Sequence, residues 1–138
     1  MTTIKYLSDY TKEAQATIFK ELDVMFAFSD KQLEEAMAER GITDRSTLTS
    51  LGAGLIIPKQ NVKEFKERMD KAIKTAVAQD LAENGRAGVL ERELGNYEIG
   101  YSFNRWHDEN FRAAIDGYGF TEDEIKNAYY LHMENTEY

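Results

Sequence analysis

"TSLGAGLIIPKQNVKEF", residues 49–65, supports two readings that lead to different folds. In the first, Gly52-Ala53-Gly54 opens a phosphate-binding turn and Lys59 reaches the ligand. Such a turn needs a strand, then glycines that let the backbone approach, then a helix N-terminus aimed at the charge. Here the apolar residues Leu55, Ile56 and Ile57 follow the glycines instead of preceding them. Pro58-Lys59 separates them from the helix, and no Gly-Lys-Ser/Thr closes the loop. In the second reading, 51–57 is a strand, with Gly52 and Gly54 at a bulge or under a close neighbour such as a backbone or a bulky Tyr. Pro58 ends sheet pairing, and Asn61 with Glu64 has the spacing of a helix cap. The order of residues favours the second reading, a strand that feeds a helix.

Working outward, helical periods dominate. Tyr10, Ala14, Ile18, Leu22 and Met25 recur mostly every four residues. Ser29 and Gln32 have capping-box spacing before the stripe Leu33, Ala36, Met37, and Gly41-Ile42 predicts a left-handed C-cap. Val62, Phe65, Met69, Ala72, Ile73, Ala76 and Val77 mark a long helix running to about Asn84-Gly85. Gly85 to Gly88 predicts a break, followed by a short helix over 89–94. Tyr97, Ile99, Tyr101 and Phe103 alternate with Glu98, Gly100 and Ser102, the period of a strand with one aromatic face. Asn104 is a candidate cap for a helix carrying Trp106, Phe111, Ala114, Ile115 and Tyr118. Thr121 and Glu124 form another capping box, with Ile125, Ala128, Tyr129 and His132 on the following face. The expected fold class is α+β: five or six helices around a small antiparallel sheet with strands near 51–57 and 97–103. A single domain over residues 1–138 is expected.

Composition narrows the function. The chain has 138 residues, 42% of them apolar, with eight Tyr, seven Phe and one Trp, which suits a folded globule. It has no cysteine, which excludes disulfides, thiolate nucleophiles and cysteine-bound metal. No apolar run approaches the roughly 20 residues of a membrane span, and MTTIKYLSDYTKEAQ is too polar and acidic to read as a signal peptide. The net charge of −8 is unevenly placed: residues 1–88 hold 14 acids and 13 bases, residues 89–138 hold 11 acids and 4 bases. Lys59, Lys63, Lys66, Arg68, Lys71 and Lys74 form a basic stretch against Glu64, Glu67 and Asp70. Phosphate would be repelled by the dominant field, so no direct nucleic-acid binding is expected and a basic protein surface is the better match.

The segments "MFAFSDKQLEEAM…GIT", "LGAGLIIPKQNVKEF", "ELGNYEIGYS" and "GFTEDEI" occur in this order over roughly residues 25–125. Together they resemble a family of small proteins with a domain of unknown function, encoded on phages and conjugative elements of Gram-positive bacteria. The family's Glu-Leu-x-Asn-x-Glu pattern maps here to Glu93, Leu94, Asn96 and Glu98. Where the family has Ala-Asn-His-Glu-Tyr, this chain has Gly95-Asn96-Tyr97-Glu98-Ile99 and so lacks the histidine. The resemblance implies accessory genes of mobile elements and the cytoplasm of a bacterial host. It supplies no catalytic residues.

Three constellations are candidates for chemistry. His107-Asp108-Glu109 with His132 is the one histidine grouping, but adjacent helical residues diverge and no His-x-x-x-His spacing is present. Glu91/Glu93 and Glu122/Asp123/Glu124 are dense carboxylates, and the latter suit a first helical turn. The aromatic stripe Tyr97, Tyr101, Phe103, Trp106, Phe111 lacks the bases of a base-stacking platform and reads as core and sheet packing. No cofactor or metal is expected, and no enzyme. The acidic C-terminal half is the feature that suggests function: an imitation of nucleic-acid phosphates aimed at a Lys/Arg-rich channel, such as the one a guide-RNA nuclease uses. The expectation is a mobile-element counter-defence protein that inhibits a host nuclease, a type II CRISPR effector first. Glu91, Glu93, Glu98, Asp108, Glu109, Asp116, Glu122, Asp123 and Glu124 would make the contacts. The alternative is a regulatory or structural module for replication, transfer or assembly of a phage or plasmid. A hydrolase or nuclease using the carboxylates and His107 has the least support.

Overall fold

The computed structural model describes residues 3–138, which gather into two compact units, one ending at Ile73 and one running from Lys74 to Tyr138. The architecture is α+β, with five α-helices and one three-stranded antiparallel sheet among the described residues.

In the first unit, α1 (Leu7–Glu21) starts at Tyr6, whose N–H donates to the Asp9 carboxylate at 2.8 Å. The chain turns through Leu22-Asp23 into β1 (Met25–Phe26) and then α2 (Asp30–Glu39). Ser29 Oγ accepts from the Gln32 N–H, and Gln32 Oε1 accepts from the Phe28 N–H, so the expected cap forms from both sides. Gly41 closes α2 at φ +68°, with the Ile42 N–H bonded to Met37 O and the Gly41 N–H to Ala38 O. That is the left-handed ending the Gly-Ile pair predicts.

The opening stretch is a hairpin and not one strand. β2 (Leu48–Gly52) and β3 (Leu55–Pro58) are joined by Ala53-Gly54, both with positive φ (51° and 79°), the geometry of a tight type I′ turn. The expectation of a continuous strand over 51–57 failed because the glycines reverse the chain. An irregularity does sit beside them, between Ser50 and Gly52. Gly54 lies under an aromatic ring, that of Phe28, which occupies the place a Cβ would need. β1 pairs with the other edge of β3, giving the order β1-β3-β2.

Successive residues of β3 face opposite sides, as strand pleating requires. Ile57 joins Ile18, Leu22, Val24 and Phe65, against which Val62, Met69 and Ala72 pack. Ile56 packs with Met25, Ala27, Leu33, Met37 and Leu48 on the α2 side. Asn61 Nδ2 donates to Leu22 O at 3.0 Å, tying the approach to the long helix to the end of α1.

α3 (Val62–Asn96) continues into the second unit and leaves helical geometry at Gly85 (φ 73°, ψ 161°). The expected break over Gly85–Gly88 is therefore a break at one residue, and the helix after it extends to Asn96. How sharply the chain bends there follows from Asp80 and Arg92. Twelve residues of straight helix span about 18 Å, beyond the combined reach of the two side chains. Yet Arg92 Nη1 and Nη2 lie 2.8 and 3.0 Å from the two Asp80 oxygens. The residues before and after Gly85 must fold back on each other.

The expected strand near 97–103 is absent. The Tyr101 N–H bonds to Glu98 O and the Ser102 N–H to Ile99 O, making a short 3₁₀ turn at Ile99–Tyr101. A second such turn, Arg105–His107, carries Trp106. α4 (Glu109–Ile115) is capped by Asp108, which accepts from the Phe111 N–H at 3.0 Å, and not by Asn104. α5 (Glu122–Asn135) begins with the Thr121/Glu124 box, both bonds at 3.1 Å. Val89, Leu90, Leu94, Ile99, Phe111, Ile115, Ile125 and Tyr129 are buried in this unit.

Two glycines separate backbone need from helix propensity. Gly85 has dihedrals that essentially only glycine adopts, so Gly85→Ala is expected to cost about 1–3 kcal/mol. Gly88 is helical, and a Cβ there would meet only the Asn84 Cβ at an ordinary 3.7 Å. Gly88→Ala is expected to be neutral or to stabilise by up to about 1 kcal/mol. Urea denaturation of both variants checks this, and equal effects would contradict the fold-back at Gly85.

Candidate protein-binding surface

The second unit holds 13 acids and 6 bases, and three of its four arginines, Arg86, Arg92 and Arg112, are held by carboxylates of the same unit, while Arg105 is exposed. Asp80 is fully buried. It accepts from Arg92 twice, from Asn84 Nδ2 at 2.7 Å and from the Tyr118 OH at 2.5 Å. Burial alone would raise the Asp80 pKa, but the bonds from Arg92, Tyr118 and Asn84 outweigh it and hold the carboxyl below the usual range. Burial and the bond to Asp80 push the Tyr118 phenol up. Arg92 also meets Glu93 through Nε at 3.2 Å. Arg86 makes a bidentate pair with Glu124 (2.7 and 2.6 Å) and donates to Gly119 O. Arg112 does the same with Glu122 (2.6 Å twice) and donates to Trp106 O.

The nine acids expected to form the contact surface therefore divide. Glu93 is buried, so it belongs to the interior and not to a surface. Glu91 is half-exposed and bonded to His132 Nδ1 at 2.6 Å. Asp108 caps α4 and accepts from Ser102 Oγ at 3.3 Å. Glu122 and Glu124 are paired as described. Glu124 is held low, to about 2, first by the Arg86 hydrogen bonds and then by the Thr121 N–H. Glu98, Glu109, Asp116 and Asp123 are exposed, and their carboxylates make no hydrogen bond or ion pair among the described residues. Glu109 and Asp116 flank Arg112 in sequence by three and four residues, and Arg112 holds Glu122. Within α4 this register places Glu109 one turn from Arg112, and so near the α5 N-terminus that Arg112 holds.

His132 is buried between Glu91 and the Tyr138 hydroxyl, while His107 is exposed and lies against the Trp106 ring. Among the described residues no group of three or more His, Asp or Glu side chains is gathered to hold a metal. Beside His132, the part of α3 after Gly85 and α5 line a groove of about 740 Å³. Ala87, Gly88, Leu90, Ala128 and Leu131 supply its apolar walls, and the Arg86–Glu124 pair and Glu91 supply polar ones.

The aromatic stripe expected to be core is split. Phe111 is buried, whereas Tyr101 is 69% exposed and Phe103 fully so. Reading the aromatics as a strand face hid these two residues. The contrary signal was in the intervening positions: Gly100, Ser102 and Asn104 are turn formers that strands disfavour.

A family model described as a family of unknown function, DUF7659, matches residues 7–138. The chain belongs to that family. No curated protein and no solved structure shows significant similarity to it. Membership therefore brings no assigned site, and the surface of this family member rests on its own geometry. Among the described residues, no helix is long and apolar enough to cross a membrane.

The Asp80 cluster gives a pH dependence with a definite sign. A carboxyl whose pKa is lower folded than unfolded contributes stability that is present above the unfolded value, about 3.9, and lost as pH falls through the folded value. Glu124 adds a contribution of the same sign, lost between its unfolded value near 4.3 and its folded value of about 2. Melting temperature is thus expected to fall on acidification below about pH 4. Asp80→Asn removes the bidentate carboxylate from the buried Arg92 and is expected to cost roughly 3–5 kcal/mol, while flattening part of the acid limb. An unchanged acid limb in that variant would show that Asp80 is not the titrating group.

Proposed function

We propose that this protein is a non-enzymatic inhibitor that binds a basic surface of a host nuclease, with a type II CRISPR effector as the first candidate. The observation that supports this reading is the distribution of pairing in the second unit. Arg86, Arg92 and Arg112 are held by internal carboxylates, while Glu98, Glu109, Asp116 and Asp123 remain exposed. Such acids offer a Lys/Arg-rich channel the charge it evolved to hold, without presenting a base or a scissile bond. A mobile-element origin and a counter-defence role are part of the proposal and accord with the sequence resemblance. The groove along α5 favours the second reading, a regulatory or structural module whose partner inserts apolar side chains.

Competition separates the two. The purified protein is titrated against target DNA on the guide-loaded nuclease, with cleavage as readout. A variant carrying Glu98→Gln, Glu109→Gln, Asp116→Asn and Asp123→Asn is expected to inhibit at least tenfold less, about 1.4 kcal/mol. Exposed charges contribute within about 0.5 kcal/mol each to folding, so the variant should remain folded. Glu109 and Asp123 sit in first helical turns and contribute to helix stability there, so melting is measured before any loss is credited to binding. Inhibition by the unaltered protein should weaken as salt rises. Simultaneous binding of DNA and protein, or no inhibition, would reject the proposal.

A further inference from the structure

Residues 97–106 have features that neither the core nor the acidic surface explains. Phe103 is fully exposed and Tyr101 largely so, in a segment without regular secondary structure beyond two 3₁₀ turns. Large aromatics in a mobile loop would be unremarkable, but this loop is held in place. Ile99 anchors it in the interior. Ser102 Oγ bridges the Asn104 N–H and Asp108, and the N–H groups of Tyr101, Ser102, Arg105, His107 and Asp108 all bond within the segment. Glu98 (φ 49°) and Arg105 (φ 53°) bracket the aromatics in left-handed conformations that residues other than Gly, Asn or Asp seldom adopt. Strained backbone of this kind persists where the surrounding structure imposes it, and it concentrates at functional sites. The Tyr138 ring meets Tyr101 edge-on at 4.9 Å and covers Gly100, bracing the turn from behind.

From this geometry we propose that the 97–106 turn is the hot spot of the interface, with Tyr101 and Phe103 as preformed aromatic anchors for arginine side chains of the partner. The inference rests on the reading that the partner surface is basic. Charge and chemistry both select arginine. Glu98 within the turn and Asp108 and Glu109 just beyond it outnumber the one guanidinium there, Arg105, so the segment carries net negative charge, while His107 and Arg105 lie against Trp106. Among the described residues, a guanidinium lies over an aromatic ring at Arg105 and Trp106 (6.0 Å) and at Arg86 and Phe120 (5.0 Å). Phe103 and Tyr101 repeat that chemistry facing outward. Arginine gains more than lysine in such a setting, because its flat guanidinium stacks on the ring and pairs with a carboxylate together. Aromatic anchors ringed by polar groups are also the usual composition of interface hot spots.

The test uses an arginine nonapeptide and a lysine nonapeptide as probes, with Trp106 fluorescence and amide chemical shifts as readouts. The arginine peptide is expected to bind about fivefold tighter, the scale of one or two exposed cation–π contacts, with shifts centred on residues 97–106. Phe103→Ala and Tyr101→Ala should abolish the preference while lysine-peptide binding persists. Phe103→Leu keeps an apolar side chain without the ring and should also lose the preference, which guards against an effect on folding. Equal affinity for the two peptides, unchanged by these variants, would overturn the hot spot while leaving the acidic-surface reading intact. Binding of neither peptide at low salt would overturn both. Binding of single-stranded DNA at the turn, or self-association removed by Phe103→Ala, would overturn the inference by identifying a different occupant.

Discussion

The second unit depends on one buried ion pair. Asp80 and Arg92 lie on either side of Gly85 along α3, and they can meet only if the chain doubles back there. The pair therefore selects the fold-back over a straight continuation of the helix. A straight helix would strand a carboxylate and a guanidinium on apolar faces. Such pairs add little net stability over an apolar core, but breaking one is severe, because the charge left behind is desolvated and unmatched. Tyr118 and Asn84 complete the lone pairs of Asp80, and Tyr118 thereby fixes the segment after α4 to the same point. Every buried side-chain nitrogen and oxygen among the described residues has a partner, the condition under which a polar core specifies one structure.

The helix ends were legible in the sequence where their signals are local. Ser29/Gln32, Gly41-Ile42 and Thr121/Glu124 each concern neighbouring backbone groups, and each cap forms as its spacing implies. The stripe Leu33, Ala36, Met37 faces the sheet for the same reason. The hairpin was less legible. Two strands of four and five residues joined by two glycine-permissive positions look in one dimension like one strand with glycines inside it. β1 has two residues, too few for any period to appear, and exists because β3 has a free edge beside it.

The misreading of 97–103 has a different cause. Alternation of aromatic and small residues is necessary for a half-buried strand but does not supply a pairing partner. The single sheet is complete within residues 25–58. Without a neighbour to take its N–H groups, the segment satisfies them locally in 3₁₀ turns, and the aromatics then point outward instead of sharing one buried face.

The same distinction between local and distant partners governs the candidate surface. Counting acids along the chain treats each as equally available, and on that count Glu93 and Glu98 are alike. In the folded chain one is buried beside Arg92 and the other is exposed at a left-handed turn. Glu122 and Glu124 keep their charge but share it with Arg112 and Arg86. A bidentate pair presents a partner with a dipole more than a charge, so these two acids orient a neighbour less than they raise the local field. The field therefore comes from exposed acids spread across α4, α5 and the turn before them, while shape comes from the rigid 97–106 segment. In the proposed interface, long-range charge would set how fast a basic partner arrives, and close-packed aromatic contact how slowly it leaves. A surface in which the two are adjacent but carried by different residues lets affinity and salt dependence vary separately.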